Sequence, residues 1–416
     1  MRLLSNLLRR FIRKGKLRVR DADGKVHVFG GLLPGPDVGI HLRDRRLYTK
    51  LFINPELHTA EAYMDGTLTL EDGAQIHDFL LLFSVNRAAL YSYGSQKLMR
   101  RAWRSLRRWH QANPIGLAAA HARHHYDVPI ELYRLFLDDQ LQYSCAYFRD
   151  PEHDTLDQAQ HNKLVHATSK LQLKPGMTVA EIGSGWGGFA IHLARETGAR
   201  VTAVNVSPEQ IKVARANAQA AGVSDRVEFR ELDYRQFTGQ FDRVVSVGMM
   251  EHVGARHFDE YFRKIRELLT PDGYAFIHCI GRMSPPGTTG PFIRKYIFPG
   301  GYVPALSETF AATERCGLWC NDMEVLRLHY RYTVKHWRER FAKNRAQAVA
   351  ICDERFCRMW EFYLAAVELE FLHGSHMVFQ LLLSTKRDAV PITRDFMVDA
   401  ERKADITPTE GTRDIR

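Results

Sequence analysis

From about residue 171 the chain alternates two hydrophobic periods. Short apolar or alternating runs that read as strands fall near 178–182, 200–206, 227–231, 241–247, 273–280 and 322–329. Between them, apolar residues at helical spacing predict helices near 187–197, 208–221, 257–269 and 305–316. A largely helical insertion follows at about 333–373, then a last strand over Val378 to Ser384. This alternation implies an α/β fold, a doubly wound, mostly parallel sheet with helices on both faces. Upstream the pattern changes. Residues 21–75 carry short β-like pieces broken by turn signals at Asp23-Gly24, Gly30-Gly31, Pro34-Gly35-Pro36, Asp65-Gly66 and Asp72-Gly73. They predict a small mixed N-terminal domain, 1–110, followed by a linker around Asn113-Pro114 and Gly116. A catalytic domain over 111–403 and a polar, frayed tail over 404–416 complete the expected organisation.

A chain of 416 residues exceeds what one compact core usually holds, which agrees with two domains. Six cysteines without a Cys-x-x-Cys pair point to reduced thiols rather than a disulfide scaffold or a zinc ribbon, and metal binding is not expected. No stretch reaches the ~18 apolar residues of a membrane span, and the start lacks a signal-peptide pattern. The expected location is therefore cytoplasmic, peripheral at the inner face of the cell membrane. The net charge of +10 is unevenly placed. No Asp or Glu occurs from Phe79 to Tyr126, and Lys97, Arg100, Arg101, Arg104, Arg107 and Arg108 flank a helical stripe of Leu98, Met99, Trp103, Leu106 and Trp109. That chemistry suits an anionic bilayer. A solvated helix packed on the next domain is the plain alternative, and nucleic acid is disfavoured. Met1 to Arg20 repeats the pattern with Arg2, Arg9, Arg10, Arg13, Lys14, Lys16, Arg18 and Arg20.

The segment Val179 to Gly188 narrows the function most. Apolar residues lead to Glu181, then to Gly183-Ser184-Gly185-Trp186-Gly187, then to a helix. A strand, a glycine turn and a helix N-terminus make a nucleotide seat, because backbone N–H groups reach a ligand there without side chains intervening. Gly183, Gly185 and Gly188 also satisfy the dinucleotide pattern. Three neighbours favour S-adenosylmethionine (SAM) instead. Glu181 suits a cation better than a pyrophosphate, the next strand ends on Asn205 rather than an acid, and Asp233-Tyr234 offers a polar edge to an adenine. Sheets of this class bind ligands at the carboxyl ends of their strands. That rule puts Glu251 after strand four, His278 near the end of strand five and Tyr330 near the end of strand six on one rim. His121, His124 and His125 read as a polar access loop. His252 and His257 lack a third ligand at metal spacing.

With these residues in view, the sequence resembles the cyclopropane-fatty-acyl-phospholipid synthase family of SAM-dependent methyltransferases, which includes the mycolic acid cyclopropane synthases. The resemblance covers most of 124–385. It rests on His125-Tyr126-Asp127, Tyr143 to Phe148, Glu181 to Gly187, Val206 to Gln210, Asp233-Tyr234-Arg235, Glu251 to Gly254, His278 to Gly281, Phe298 to Gly301, and His329-Tyr330 with Thr333 and Trp337. The N-terminal part resembles the bacterial phospholipid enzymes rather than the shorter mycolic ones. The resemblance implies a seven-stranded sheet and SAM contacts from Tyr143, Ser144, Gly183, Ser184, Gly185, Asn205, Gln210, Tyr234 and Arg235, with Asp233 a further candidate. It implies a bicarbonate held by Cys145, Glu251, His278, Tyr330 and the backbone of Ile280. It also implies an unsaturated phospholipid in an anionic membrane as substrate, and a homodimer.

Physical chemistry fits that implication. Attack of a cis double bond on the SAM methyl leaves a carbocation, and ring closure needs a proton removed. Bicarbonate suits that task where no strong side-chain base is evident. Phe341, Phe356, Trp360, Phe362 and Tyr363 in the insertion suit a lipid-tail pocket, or equally a plain helical cover. Two departures stand out: Asn205 replaces a frequent Thr, and Val367 stands where some members have Cys. Rival readings are methylenation or C-methylation of the same alkene, a methyltransferase for a small molecule or RNA, and a silent lipid-binding protein.

Overall fold

The computed structural model describes residues 1–31, 33–88 and 128–406. The basic helix expected over 97–109, the linker near 113–116, the histidines at 121, 124 and 125, and Tyr126-Asp127 lie outside the described residues.

The N-terminal part is built on a four-stranded mixed sheet: β1 (Lys14–Arg20), β2 (Val26–Gly30), β3 (Leu33–Leu42) and β4 (Leu68–Glu71) in the order β2-β1-β3-β4. Helices α1 (Arg2–Phe11), α2 (Leu47–Ile53), α3 (Pro55–Met64) and α4 (Ile76–Val85) surround it. The sheet starts before the 21–75 span read from the sequence. Strict alternation explains this: Leu17 and Val19 point inward, while Lys16, Arg18 and Arg20 point out and pair with Asp37, Asp72 and Glu71. The Met1–Arg20 segment is thereby divided. Leu4, Leu8 and Phe11 enter the core, and Arg2, Arg9 and Arg10 face solvent. Its apolar stripe is spent on folding.

Helices α5 (Ile130–Arg134) and α6 (Leu156–Ser169) lead into the large sheet. Its elements follow as β5 (Thr178–Ile182), α7 (Gly188–Thr197), β6 (Arg200–Asn205), α8 (Pro208–Ala220), β7 (Val227–Glu231), β8 (Phe241–Val247), α9 (Phe258–Leu268), β9 (Leu269–Arg282), α10 (Leu306–Arg315) and β10 (Trp319–Val325). The insertion is α11 (His329–Lys343), α12 (Arg345–Ile351) and α13 (Glu354–His373). Strand β11 (His376–Ser384) and α14 (Asp395–Ile406) close the described chain. The seven strands lie in the order β10-β11-β9-β8-β5-β6-β7, and β11 runs antiparallel to both of its neighbours. Strand β5 is buried along nearly its whole length, as a central parallel strand requires. Ser207 caps α8 through the Gln210 N–H with Pro208 in its first turn, and Thr155 with Gln158 forms a capping box on α6.

Two boundaries differ from the sequence reading. The sixth strand ends at Val325, not 329, and His329-Tyr330 open α11. Tyr330, Val334, Trp337 and Phe341 are all buried, so helical spacing governs this stretch. The tail expected from Ala404 is helical to Ile406, because Met397 packs in the core and Glu401 bonds His166.

One apolar cluster covers one face of the large sheet with α9 and α10, through Phe258, Tyr261, Phe262 and Ala312. A second covers the other face with α6, α7 and α8, through Leu164, Phe189 and Ile211. A third runs without a break from Leu4 and Phe11 through Phe79 and Leu82 to Trp337, Trp360 and Phe371. The N-terminal sheet and the helical insertion therefore share a core, with α3 and α4 packed on α13.

Candidate active site

Strand β5 sits where the chain switches sides of the sheet, with β6 on one flank and β8 on the other. Crevices open at such points. The glycine turn after β5 makes the crevice deep. Gly183 and Gly187 both have φ near +87°, and a Cβ on Gly187 would lie 2.7 Å from Phe229 and 2.8 Å from Ala214. Only glycine lets the turn lie this close to β7 and α8. A cleft of about 190 Å³ results, and every residue named above as a SAM contact lines it: Tyr143, Ser144, Gly183, Ser184, Gly185, Asn205, Gln210, Asp233, Tyr234 and Arg235.

The cleft fits a polar cation. Glu181 and Ser184 are buried, and Glu181 Oε2 and Ser184 Oγ have no hydrogen-bond partner among the described residues. Burial pushes the Glu181 carboxyl up to about 8, against the pull of the Lys163 ammonium. A ligand cation beside Glu181 would draw it back toward the carboxylate. Asn205 also braces the cleft it lines. Its amide donates to Gln210 Oε1 at 2.8 Å and to the Gly185 carbonyl at 3.3 Å, which ties the glycine turn to α8. Asp233 and Arg235 form a largely buried ion pair at 2.6 Å in the cleft wall. Burial raises the Asp233 carboxyl, but the bonds from Arg235 outweigh it and leave it lowered.

Sequence reasoning missed a basic strip under this cleft. Lys163 and His166 on α6 and Lys170 just beyond it share one face and are 2%, 6% and 1% exposed. Lys163 donates to Gln142 Oε1 and, at 3.2 Å, to Ser144 Oγ, and burial lowers it to about 8. Lys170 pairs with Glu324 and donates to Gln380 Oε1 at 2.5 Å. The signal was present: these residues recur at i, i+3 and i+7, each directly before or after an apolar residue in a helix with no wholly polar face.

The groups assigned to catalysis come from four elements, and none of them is among the residues that line the cofactor cleft. Glu251 follows β8 in a short 3₁₀ turn, and its Oε1 accepts the Ile280 N–H at 2.6 Å. Its Oε2 is buried with no N–H or O–H partner among the described residues. Burial pushes this carboxyl up to about 7. His278 and Ile280 are two apart on β9 and so share a face. Burial and the nearby lysines hold His278 down at about 3, which makes the ring neutral. Tyr330 is clamped edge-on against Trp337 and Phe371, with ring centroids 5.7 and 4.7 Å away. Trp337 also stacks on Tyr143 at 5.1 Å, which joins the Tyr330 wall to the cleft. Cys145 is 2% exposed, its thiol donates to the Ala146 carbonyl, and burial pushes it far up. It is a thiol and not a thiolate.

The sequence pattern described as mycolic acid cyclopropane synthetase matches residues 117–381. The chain belongs to this family. It is 36% identical over 374 residues to a probable fatty acid methyltransferase of Pseudomonas putida, across 88% of this chain and 91% of that one. It is 32% identical over 359 residues to the cyclopropane-fatty-acyl-phospholipid synthase of Escherichia coli K12, across 83% and 87%. A solved mycolic acid cyclopropane synthase complexed with SAH and CTAB superposes with a TM-score of 0.61 at 28% identity, covering 65% of this chain and 99% of that one. As a member of the family, the chain is a SAM-dependent methyltransferase, with the seven-stranded sheet of that class and a small additional N-terminal sheet.

Proposed function

We propose that the enzyme transfers a methylene group from SAM across the cis double bond of unsaturated phospholipid acyl chains to form cyclopropane fatty acids. The observation that carries this reading is two buried polar groups attached to the last part of β9. Glu251, whose Oε1 accepts the Ile280 N–H, has no N–H or O–H partner for its Oε2 among the described residues, and His278 is neutral. Such a site suits a small hydrogen-bonding anion beside an apolar chain and excludes the water that would trap a cation. The names of the Pseudomonas and Escherichia relatives support an acyl substrate.

In this reading Glu181 accommodates the positive end of the cofactor, and the glycine turn brings backbone N–H groups to its polar tail. SAM supplies an electrophilic methyl, and a bicarbonate held by Glu251 and His278 supplies the acceptor for the proton lost on ring closure. Glu251 keeps its orientation through the Ile280 N–H, which is already engaged. His278 contributes one ring N–H, and Cys145 stays protonated. Tyr330, fixed by Trp337 and Phe371, stabilises positive charge through its π face. The basic 97–109 segment meets the anionic membrane surface. C-methylation without ring closure is the second reading, favoured by the fatty acid methyltransferase relative.

The test is mass spectrometry of acyl chains after incubation of protein and SAM with vesicles of cis-monounsaturated phospholipid. A gain of one CH₂ in a product that resists hydrogenation is expected. A product that still takes up hydrogen would assign methylenation. A methyl branch on a chain that keeps its double bond, the cation having lost a chain proton instead, would assign C-methylation. No mass change with SAM bound would remove the lipid substrate.

A further inference from the structure

We propose that Lys170 and Gln380 are positioning residues that lock His278 as its Nε2–H tautomer, so that the ring offers the reaction site a donor and not an acceptor. The inference rests on the reading of His278 as a site group. It follows from which atoms can donate. Gln380 lies directly across from His278 in the β9–β11 ladder. One end of its amide is 2.5 Å from Lys170 Nζ and the other is 3.1 Å from His278 Nδ1. An ammonium only donates, so the atom facing Lys170 is the amide oxygen. The NH₂ group therefore faces His278. An amide NH₂ also only donates, so His278 Nδ1 must be the acceptor and the single ring proton must sit on Nε2.

The lock has a second layer. Lys170 is held by Glu324, which also meets His166 Nε2 at 2.8 Å, and His166 Nδ1 meets Glu401 of α14 at 2.5 Å. Burial raises the Glu324 carboxyl, but its bonds to His166 and Lys170 prevail and hold it well below the usual range. Lys170 thus has a fixed anion behind it and Gln380 in front. Every member of this row from Lys170 to His278 is at most 2% exposed, so water does not compete for the bonds. Hydrogen-bond partners of this kind select a histidine's tautomer and its aim.

Gln380→Glu tests the idea with little change of volume. A carboxylate accepts from Lys170 and from His278 alike, which moves the ring proton to Nδ1. In protein carrying ¹⁵N-labelled histidine, wild type should show a protonated Nε2 and bare Nδ1 at His278, assigned by loss of the signal in His278→Asn. Gln380→Glu should show a protonated Nδ1. Lys170→Met, which frees the amide to turn, should show a mixture of tautomers and serves if the first variant does not fold. On cis-unsaturated vesicles Gln380→Glu should lose about tenfold or more in kcat with KM changed far less, as loss of an orienting partner does. Gln380 does not line the cofactor cleft, so calorimetric SAM affinity should be unchanged. A wild-type proton on Nδ1, or tautomers identical in all three proteins, would overturn the proposal. The tautomer is read without lipid, so the expected spectra with no lipid product would count against the proposed reaction and not against the lock.

Discussion

Replacing Glu251 by Gln keeps the shape of the side chain and the oxygen that accepts the Ile280 N–H at 2.6 Å, but removes the ionisable proton. In the folded protein burial pushes this carboxyl from its ordinary 4.5 up to about 7. At about 1.36 kcal/mol per unit, the buried charge costs the fold roughly 3 kcal/mol once it is fully ionised. The raised value sets the sign. The contribution is intact below pH 4.5, where the group is protonated in both states, and is lost as pH rises through 7. Between pH 5 and 8.5 wild type should therefore lose roughly 2–3 kcal/mol more stability than Glu251→Gln. The new amide N–H₂ has its own cost where Oε2 lacked a partner, but that cost is the same at every pH. Urea unfolding of both proteins at the two pH values measures the difference directly. The same variant should bind SAM normally and lose lipid turnover, since the NH₂ that replaces Oε2 cannot accept the O–H of a bicarbonate. Parallel stability profiles, or undiminished turnover, would refute the reasoning.

Other consequences follow from the cleft. SAM binding near pH 7 should release close to one proton, because Glu181 at about 8 is protonated in the free protein and a cation beside it favours the carboxylate. Affinity should rise from pH 6 to 8, and calorimetry in buffers of different ionisation heat should show the release vanish in Glu181→Gln. Gly187→Ala and Gly185→Ala share a left-handed backbone cost of ~1–2 kcal/mol. Only the first also meets Phe229 and Ala214, so it should unfold at clearly lower temperature than the second, whose Cβ meets nothing within 4 Å. Cys145→Ala should keep turnover within about tenfold and wild type should resist iodoacetamide at pH 8, because a thiol pushed up by burial is not a nucleophile.

The parallel sheet was legible because its strands and helices repeat at two distinct periods, and because glycine at 183, 185 and 187 marks a left-handed turn that closes on Phe229 and Ala214 at 187. The rule that strand ends bind ligands picked out Glu251 and His278, which the fold sets just after β8 and near the end of β9, outside the lining of the cofactor cleft. Tyr330 lies at the start of a helix and not at a strand end. The run after Val325 looked extended because the buried Tyr330, Val334 and Trp337 show helical spacing only when read beyond the strand. Helix α14 escaped because its anchor is a long-range bond from Glu401 to His166, which no local pattern records. The same holds for Lys163, Lys170 and Gln380. A lysine in a sequence reads as exposed, and only the facing Gln142, Ser144 and Glu324 make its burial tolerable. The basic character of Met1 to Arg20 was plain, but whether its leucines face lipid or core is a matter of tertiary packing, and the core takes Leu4 and Leu8.

The most direct test of the reaction uses SAM with a trideuterated methyl group and vesicles of cis-monounsaturated phospholipid. Ring closure removes one deuterium, so the product should carry two and resist hydrogenation. A product that carries three deuteriums and still takes up hydrogen, or no transfer by protein that binds SAM, would contradict cyclopropanation.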